Sequence, residues 1–246
     1  MIELAILSAM LGAGFFVEAV AGFGGTVVAV SLGATYASIA HVLAVFLPLN
    51  LALSTYLAVR HRGAVQGRLL ATRIVPSMLI GLAAGTALAL AVDAERAKLG
   101  FAALVVGLAL RELVRLARPT ATPPAPLPAA VQATVLVVAG LVHGLYATGG
   151  PLVVAVAQRV IAAKAELRAT LAVLWISLNL IVLARLVANG DLSAATLTLS
   201  AAIAPTLVVA LVLGELVHRK VSERGFRWLV ALLLLGTGAV LLARSW

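Results

Sequence analysis

The chain has 246 residues, of which 63% are hydrophobic and only 11% are charged. A soluble globular protein carries roughly 25% charged residues, so this chain has too little polar surface to face water on all sides. Composition therefore excludes a soluble enzyme, a nucleic-acid-binding domain and a disordered tail, and it predicts an all-α polytopic membrane protein. The net charge of +9 does not indicate a nucleic-acid partner, because Lys and Arg are confined to short connectors between apolar segments.

Eight apolar segments have the length of about 17–25 residues that a helix needs to span a bilayer. They lie at about 2–21, 39–59, 70–91, 97–117, 129–147, 167–188, 193–217 and 227–244. Two further apolar segments, 26–37 and 151–163, are too short to span comfortably, and each follows a Gly-Gly pair. The first segment has no basic residues before it and no cleavage site after it, so it is predicted to be a retained span rather than a signal peptide.

The two halves of the chain resemble each other. A shift of 129 residues places Asn50 on Asn179, and the same shift also places Pro76 on Pro205, Gly85 on Gly214 and Gly107 on Gly236. A shift of 125 residues places Gly24-Gly25 on Gly149-Gly150. We therefore expect a first transmembrane repeat at 1–117, a Pro-rich linker at 118–128 and a second repeat at 129–246.

Charge predicts the orientation of the repeats. Basic residues cluster at 60–73, 111–118, 159–168 and 219–227. All four clusters lie in the cytoplasm only if both short segments also cross the membrane, which gives ten crossings, an external N-terminus and two inverted five-segment repeats. Re-entrant short segments would move the 159–168 cluster outside, so the positive-inside rule favours ten crossings.

Two glycine-rich breaks, at 21–26 and 147–151, are the first candidates for a functional site. Inverted repeats with broken helices are typical of transporters that bind substrate near the membrane midplane. Each short helix would begin just after a Gly-Gly pair, with Pro151 in the first turn of the second. Two helix N-termini would then direct N–H groups and positive dipole ends into one cavity, which suits an anion. The alternative is that these glycines only allow close helix packing.

Polar residues inside the apolar segments are the next candidates. Glu18 and His143 each lie seven residues before the second glycine of a break, so they occupy equivalent positions. They are candidates for proton coupling, or else polar groups satisfied by neighbouring helices. Asn50 and Asn179 either line the site or bond one helix to another. Arg185, near the outer end of its span, either meets an anion or extends to the interface.

The sequence contains no catalytic pattern and no metal-ligand spacing. It has no cysteine, and its four histidines are scattered. We therefore expect no enzymatic activity, no cofactor and no bound metal.

The ordered motifs of this chain resemble those of one family. Gly22-Phe23-Gly24-Gly25 is similar to the first break of the sulfite exporter TauE/SafE family of bacterial membrane permeases, and Thr148-Gly149-Gly150-Pro151 is similar to its second break. The connector at 60–65, Arg-His-Arg-Gly-Ala-Val, resembles another family element. Leu167-Arg168-Ala169-Thr170 and Leu178-Asn179-Leu180 resemble two more, so the resemblance covers nearly the whole chain.

The resemblance implies export of small sulfur-containing anions such as sulfite, sulfoacetate or related organosulfonates across a bacterial inner membrane. The expected substrate-binding residues are Gly24, Gly25, Thr26, Asn50, Thr148, Gly149, Gly150 and Asn179. Thr26 stands where the family often has a third glycine, and Asn50 stands where it often has a small hydroxyl residue. The expected partners are the anion and the lipid bilayer, and the sequence leaves both a monomer and a homodimer open. A drug/metabolite-type exporter and a non-transporting membrane scaffold are the alternatives.

Overall fold

A computed structural model describes residues 2–118, 127–161, 163–218 and 222–244, and these residues form helices and short connections with no strand. The predicted linker at 118–128 lies mostly outside the described residues. The helices are α1 Ile2–Ala21, α2 Gly25–Gly33, α3 Ile39–Arg60, α4 Gly67–Ala91, α5 Ala94–Ala117, α6 Ala129–Tyr146, α7 Gly150–Ala157, α8 Lys164–Ala188, α9 Ala194–His218 and α10 Glu223–Arg244. Helix α4 contains a π-helical turn at Leu70–Ile74.

Among the described residues, six helices are long and apolar enough to cross a membrane: α1, α3, α4, α6, α8 and α9. The predicted segments at 97–117 and 227–244 are also helical, in α5 and α10, but they do not reach this standard. Charged residues at both ends of α5 lower its hydropathy, and the apolar part of α10, Arg227–Ala243, has fewer than 18 residues. The structure therefore supports a polytopic helical membrane protein, whereas the count of eight full spans is not confirmed.

The two predicted breaks interrupt the helices where the glycines lie. Between α1 and α2, Gly22 and Gly24 have φ values of 78° and 84°, a left-handed conformation that side chains disfavour. The second break, between α6 and α7, turns at Ala147, which has a φ of 55°. Both short helices end earlier than predicted: α2 ends at Gly33 rather than at 37, and α7 ends at Ala157 rather than at 163.

The same pattern of helix packing occurs twice in the chain. Helix α1 packs on α9, and α6, the first helix of the second half, packs on α4. Helix α3 packs on α8, and α5 on α10. The contact between α4 and α6 brings backbones together at four glycines, where any Cβ would collide with the facing main chain: Gly81, Gly85, Gly140 and Gly144. This close approach of small residues is how membrane helices gain dispersion contacts.

The described residues of the four basic clusters lie at one end of the helical bundle. Gln66, in the first cluster, donates hydrogen bonds to Thr170 and Glu166 at the start of α8. Arg227 pairs with Glu112, which connects the fourth cluster to the second. A single cavity at this end is lined by residues of the second, third and fourth clusters.

Candidate functional site

The two breaks meet at a small cavity of about 10 Å³, roughly the space of one water molecule. A Cβ atom added to Gly150 would lie 3.7 Å from the backbone nitrogen of Gly24, so the two glycine turns are direct neighbours. The cavity is lined by Glu18, Gly24, Thr26, Val27, His143, Ala147, Thr148, Gly150, Trp175 and Asn179. Both breaks therefore contribute to its wall. The remaining lining residues are Glu18 on α1, Val27 on α2, His143 on α6, and Trp175 and Asn179 on α8.

Two helix N-termini border this cavity. Helices α2 and α7 start at Gly25 and Gly150, and neither has a side chain that caps its first turn. The first N–H groups of a helix have no acceptor within the helix, and the helix dipole adds positive potential there. Pro151 lies in the first turn of α7, where its missing N–H breaks no helical hydrogen bond. The cavity thus presents backbone donors and positive potential, which is suited to an anion.

A buried amide pair joins the two halves of the chain beside the cavity. The Nδ2 atom of Asn179 donates to the Oδ1 atom of Asn50 at 2.9 Å, and both residues are almost fully buried. Asn50 also lies beside Glu18, and Asn179 lies beside His143. The Oγ atom of Ser54 donates a longer bond of 3.4 Å to the Glu18 carboxylate. The two ionisable residues therefore lie on either side of the amide pair.

Several buried polar atoms around the cavity have no partner in hydrogen-bond geometry among the described residues. They are both ring nitrogens of His143, the hydroxyl of Thr148, the Nδ2 atom of Asn50 and the Oδ1 atom of Asn179. Buried polar groups are nearly always hydrogen-bonded, so such a concentration at one point calls for a ligand, water or proton to complete it. An anion with several oxygens would accept from the donors in this set.

The structure brings seven of the ten candidate residues into the cavity wall: Gly24, Thr26, Thr148, Gly150, Asn179, Glu18 and His143. The other three lie directly behind it. Gly25 packs on the Glu18 side chain, where a Cβ would collide with it, and Gly149 packs on the backbone of Ala139. Asn50 does not line the cavity but accepts a hydrogen bond from Asn179, which does. The described residues contain no group of three or more His, Asp or Glu side chains able to hold a metal.

Helix α8 supplies contacts that the sequence analysis missed. Trp175 donates from Nε1 to the carbonyl of Gly22 at 3.0 Å, and its ring stacks on that of His143 with 5.9 Å between centroids. Because an aromatic residue in an apolar helix usually just packs, nothing in the sequence distinguishes Trp175. In the structure it fixes the first break and covers one wall of the cavity.

Two arginines of α8 bind the ends of the helices that precede the breaks. Arg168 donates to the carbonyl of Ala19 at 2.5 Å, and Arg185 donates to the carbonyl of Gly144 at 2.6 Å. The 125-residue shift that aligns the breaks also places Ala19 on Gly144, which is the signal that could have revealed this correspondence. Cations are favourable at helix C-termini, where free carbonyls carry partial negative charge. Arg185 thus neither extends to the interface nor lines the cavity.

Comparison with known proteins agrees with this architecture. The family model described as sulfite exporter TauE/SafE matches residues 6–241, nearly the whole chain. No curated protein and no solved structure matches the chain. The family consists of permeases, in agreement with the sequence-based exclusion of an enzyme. Because the match covers nearly the whole chain, and the described residues include six apolar helices of spanning length, the chain belongs to the sulfite exporter TauE/SafE family of membrane transporters.

Proposed function

We propose that the protein is a secondary transporter that exports small sulfur-containing anions, such as sulfite, sulfoacetate or related organosulfonates, from a bacterial cell. The observation that carries the proposal is the meeting of two uncapped helix N-termini at one buried cavity with unpartnered polar atoms. Anions are stabilised at such termini by backbone donors and the helix dipole. Family membership supports the same substrate class.

The transport unit is proposed to consist of two inverted repeats, at 1–117 and 129–246, joined by the linker at 118–128. The reciprocal packing of α1 on α9 and of α6 on α4 supports this division. The location of the described residues of the basic clusters at one end supports ten crossings, with that end in the cytoplasm. Alternating access then arises when the two repeats rock about the cavity between them.

The driving force for export is available without further coupling. An inside-negative membrane potential contributes about 2.3 kcal/mol per charge per 100 mV, and for an anion this acts outward. Glu18 and His143 are proposed to add proton coupling, because both are buried at the cavity and lie next to the amide pair. Uptake or release of a proton there would change the charge that accompanies the anion.

The test is the flux of radiolabelled sulfite and radiolabelled sulfoacetate in proteoliposomes containing the full chain. We expect protein-dependent movement of at least one of these anions, with a rate that changes with the sign of an imposed potential. Movement of an uncharged metabolite but of neither anion would instead indicate a drug/metabolite-type exporter. If no solute moves although the protein is correctly inserted, the transport proposal is wrong and a membrane scaffold becomes the better explanation.

A further inference from the structure

A second, larger cavity opens at the end of the bundle that carries the basic clusters. Its volume is about 230 Å³, and we refer to it as the vestibule. Its ionisable lining residues are Arg111, Glu112, Arg115, Lys164, Arg168 and Arg227. Five cations therefore share this space with one carboxylate. Apolar side chains of α1, α5, α7 and α10 form most of the remaining wall.

The vestibule adjoins the central cavity, because Gly24 and Val27 line both spaces. Arg168 also lines the vestibule, and it donates to the carbonyl of Ala19 near the end of α1. An anion held in the vestibule would therefore lie close to Arg168 and to the first break, which also borders the central cavity.

The position of these charges is not explained by membrane topology alone. The positive-inside rule requires basic residues on the cytoplasmic side, but it does not require them to point into an interior cavity. Arg168 is 4% exposed, and its Nε atom has no hydrogen-bond partner among the described residues. Its other contacts are the Ala19 carbonyl and Glu215, at 2.6 Å. A buried cation with a free donor at the inner end of a cavity is the kind of group that an anion completes.

The charge balance further favours anions in the vestibule. Glu112 pairs with Arg227 and with Arg115, so the single carboxylate is shared between two cations. Arg111 on α5 and Lys164 on α8 are two further cations in the vestibule lining. Clefts lined by charge of one sign with apolar walls concentrate the field and raise the local concentration of the opposite ion.

We propose that the vestibule is a capture site for small oxyanions, in which Arg111, Lys164 and Arg168 hold the anion before it enters the central cavity. This inference rests on the proposed function and adds a second binding step on the cytoplasmic side. According to this inference, Arg111 contributes to the affinity for the anion and not to the rate of its transfer across the membrane. The same cationic surface could in principle hold the phosphate of an anionic lipid, and the experiment separates these two sources.

The experiment compares Arg111→Gln with Arg96→Gln, which lies at the other end of the same helix. Arg96 is exposed and forms a surface ion pair with Asp93, so it provides the same change of charge away from the vestibule. Uptake of radiolabelled sulfite into inside-out vesicles is measured against sulfite concentration, at low and at high ionic strength. Equilibrium binding of radiolabelled sulfite to the purified full-length protein is measured in parallel.

We expect Arg111→Gln to raise the half-saturating sulfite concentration roughly threefold to tenfold at low salt, with an unchanged maximal rate. The effect should shrink at high salt, because screening shortens the range of exposed charges. Arg96→Gln should leave both quantities at the wild-type value. Binding to the purified protein should weaken by the same factor in Arg111→Gln.

The other outcomes distinguish a failure of this inference from a failure of the proposed function. If sulfite moves but Arg111→Gln behaves like Arg96→Gln, the vestibule does not capture anions, although the proposed function stands. If the difference appears only in vesicles that contain anionic lipid, the cations hold lipid headgroups and the inference is wrong. If the purified protein binds sulfite through Arg111 but does not transport it, the capture site stands and the proposed function fails. Absence of both binding and transport contradicts both.

Discussion

The side chains of Asn50 and Asn179 are hydrogen-bonded to each other at 2.9 Å, although 129 residues separate them in sequence. The same separation is the shift that aligns the two halves of the chain. Each asparagine lies at the middle of its long helix, α3 or α8, and beside the ionisable residue of its own half. The bond therefore connects the two halves at equivalent points, next to the proposed anion site.

The double variant of Asn50 and Asn179 should lose less stability than the sum of the losses in the two single variants. Asn179→Leu leaves the buried Asn50 amide without its partner, at a cost of about 1–3 kcal/mol. Asn50→Leu has the equivalent effect on Asn179. The double variant removes both polar groups, so we expect a coupling energy of about 0.5–3 kcal/mol in a double-mutant cycle. Unfolding of the four proteins in detergent measures it, and additive losses would contradict the pairing.

Glu18→Gln should separate proton coupling from anion transport. Gln has nearly the same shape as Glu and retains the contact with Ser54, but it cannot take up and release a proton. We expect sulfite flux in this variant to lose its response to a pH gradient and to keep its response to an electrical potential. Proteoliposome flux under each gradient alone measures the two responses.

The matched control is Glu3→Gln, which changes an exposed carboxylate at the start of the same helix. It should respond to both gradients as the wild type does. A pH response that persists in Glu18→Gln would assign proton coupling to another group, and a wild-type protein without any pH response would leave the potential as the driving force.

Arg185→Gln should weaken the second break without touching the cavity. The guanidinium donates to the Gly144 carbonyl at 2.6 Å, and a charge-assisted bond of this kind contributes roughly 1.5–3 kcal/mol. We expect a lower unfolding temperature in detergent and slower sulfite flux, with a smaller loss in Arg185→Lys because a cation remains. Equal losses in both variants would show that the planar guanidinium, rather than its charge, positions the helix end.

Gly85→Leu should prevent correct packing of the two halves. A Cβ at Gly85 would overlap the Leu141 backbone, which cannot move without separating α4 from α6. Gly107→Leu is the control, since nothing lies within 4 Å of the Cβ position there. We expect little folded Gly85→Leu protein in the membrane and normal amounts of Gly107→Leu. Gel filtration of detergent-solubilised material distinguishes them, and normal recovery of Gly85→Leu would contradict the proposed contact.

Much of this architecture could be predicted from sequence because its determinants are local. Apolar segments of spanning length define the long helices, and Gly-Gly pairs define both breaks, since the backbone there needs conformations or close approaches that side chains oppose. The 129-residue shift placed Asn50 opposite Asn179 before any contact was visible. The sequence left open whether these amides line the site or bond helix to helix. In the structure they form that bond, and Asn179 also lines the cavity.

The parts that could not be predicted depend on tertiary contacts. The roles of Trp175, Arg168 and Arg185 follow from the position of α8 beside both breaks, which no local pattern encodes. The vestibule is likewise invisible in sequence, because a basic residue in a connector looks the same whether it faces solvent or an interior space. Helices α2 and α7 end earlier than the sequence predicts, because apolar residues such as Ala34 and Ile161 lie past the last helical residue.

The most direct test of the account is sulfite efflux by Gly150→Leu under an inside-negative potential. The atoms nearest to a Cβ at Gly150 belong to the Trp175 ring and the Gly24 backbone, at 3.6–3.7 Å, so the first atom of a larger side chain fits without a clash and the rest would block the cavity. We predict that Gly150→Leu inserts and folds like Gly107→Leu but loses sulfite efflux, whereas Gly107→Leu keeps it. Wild-type efflux in Gly150→Leu would contradict an anion site between the two breaks.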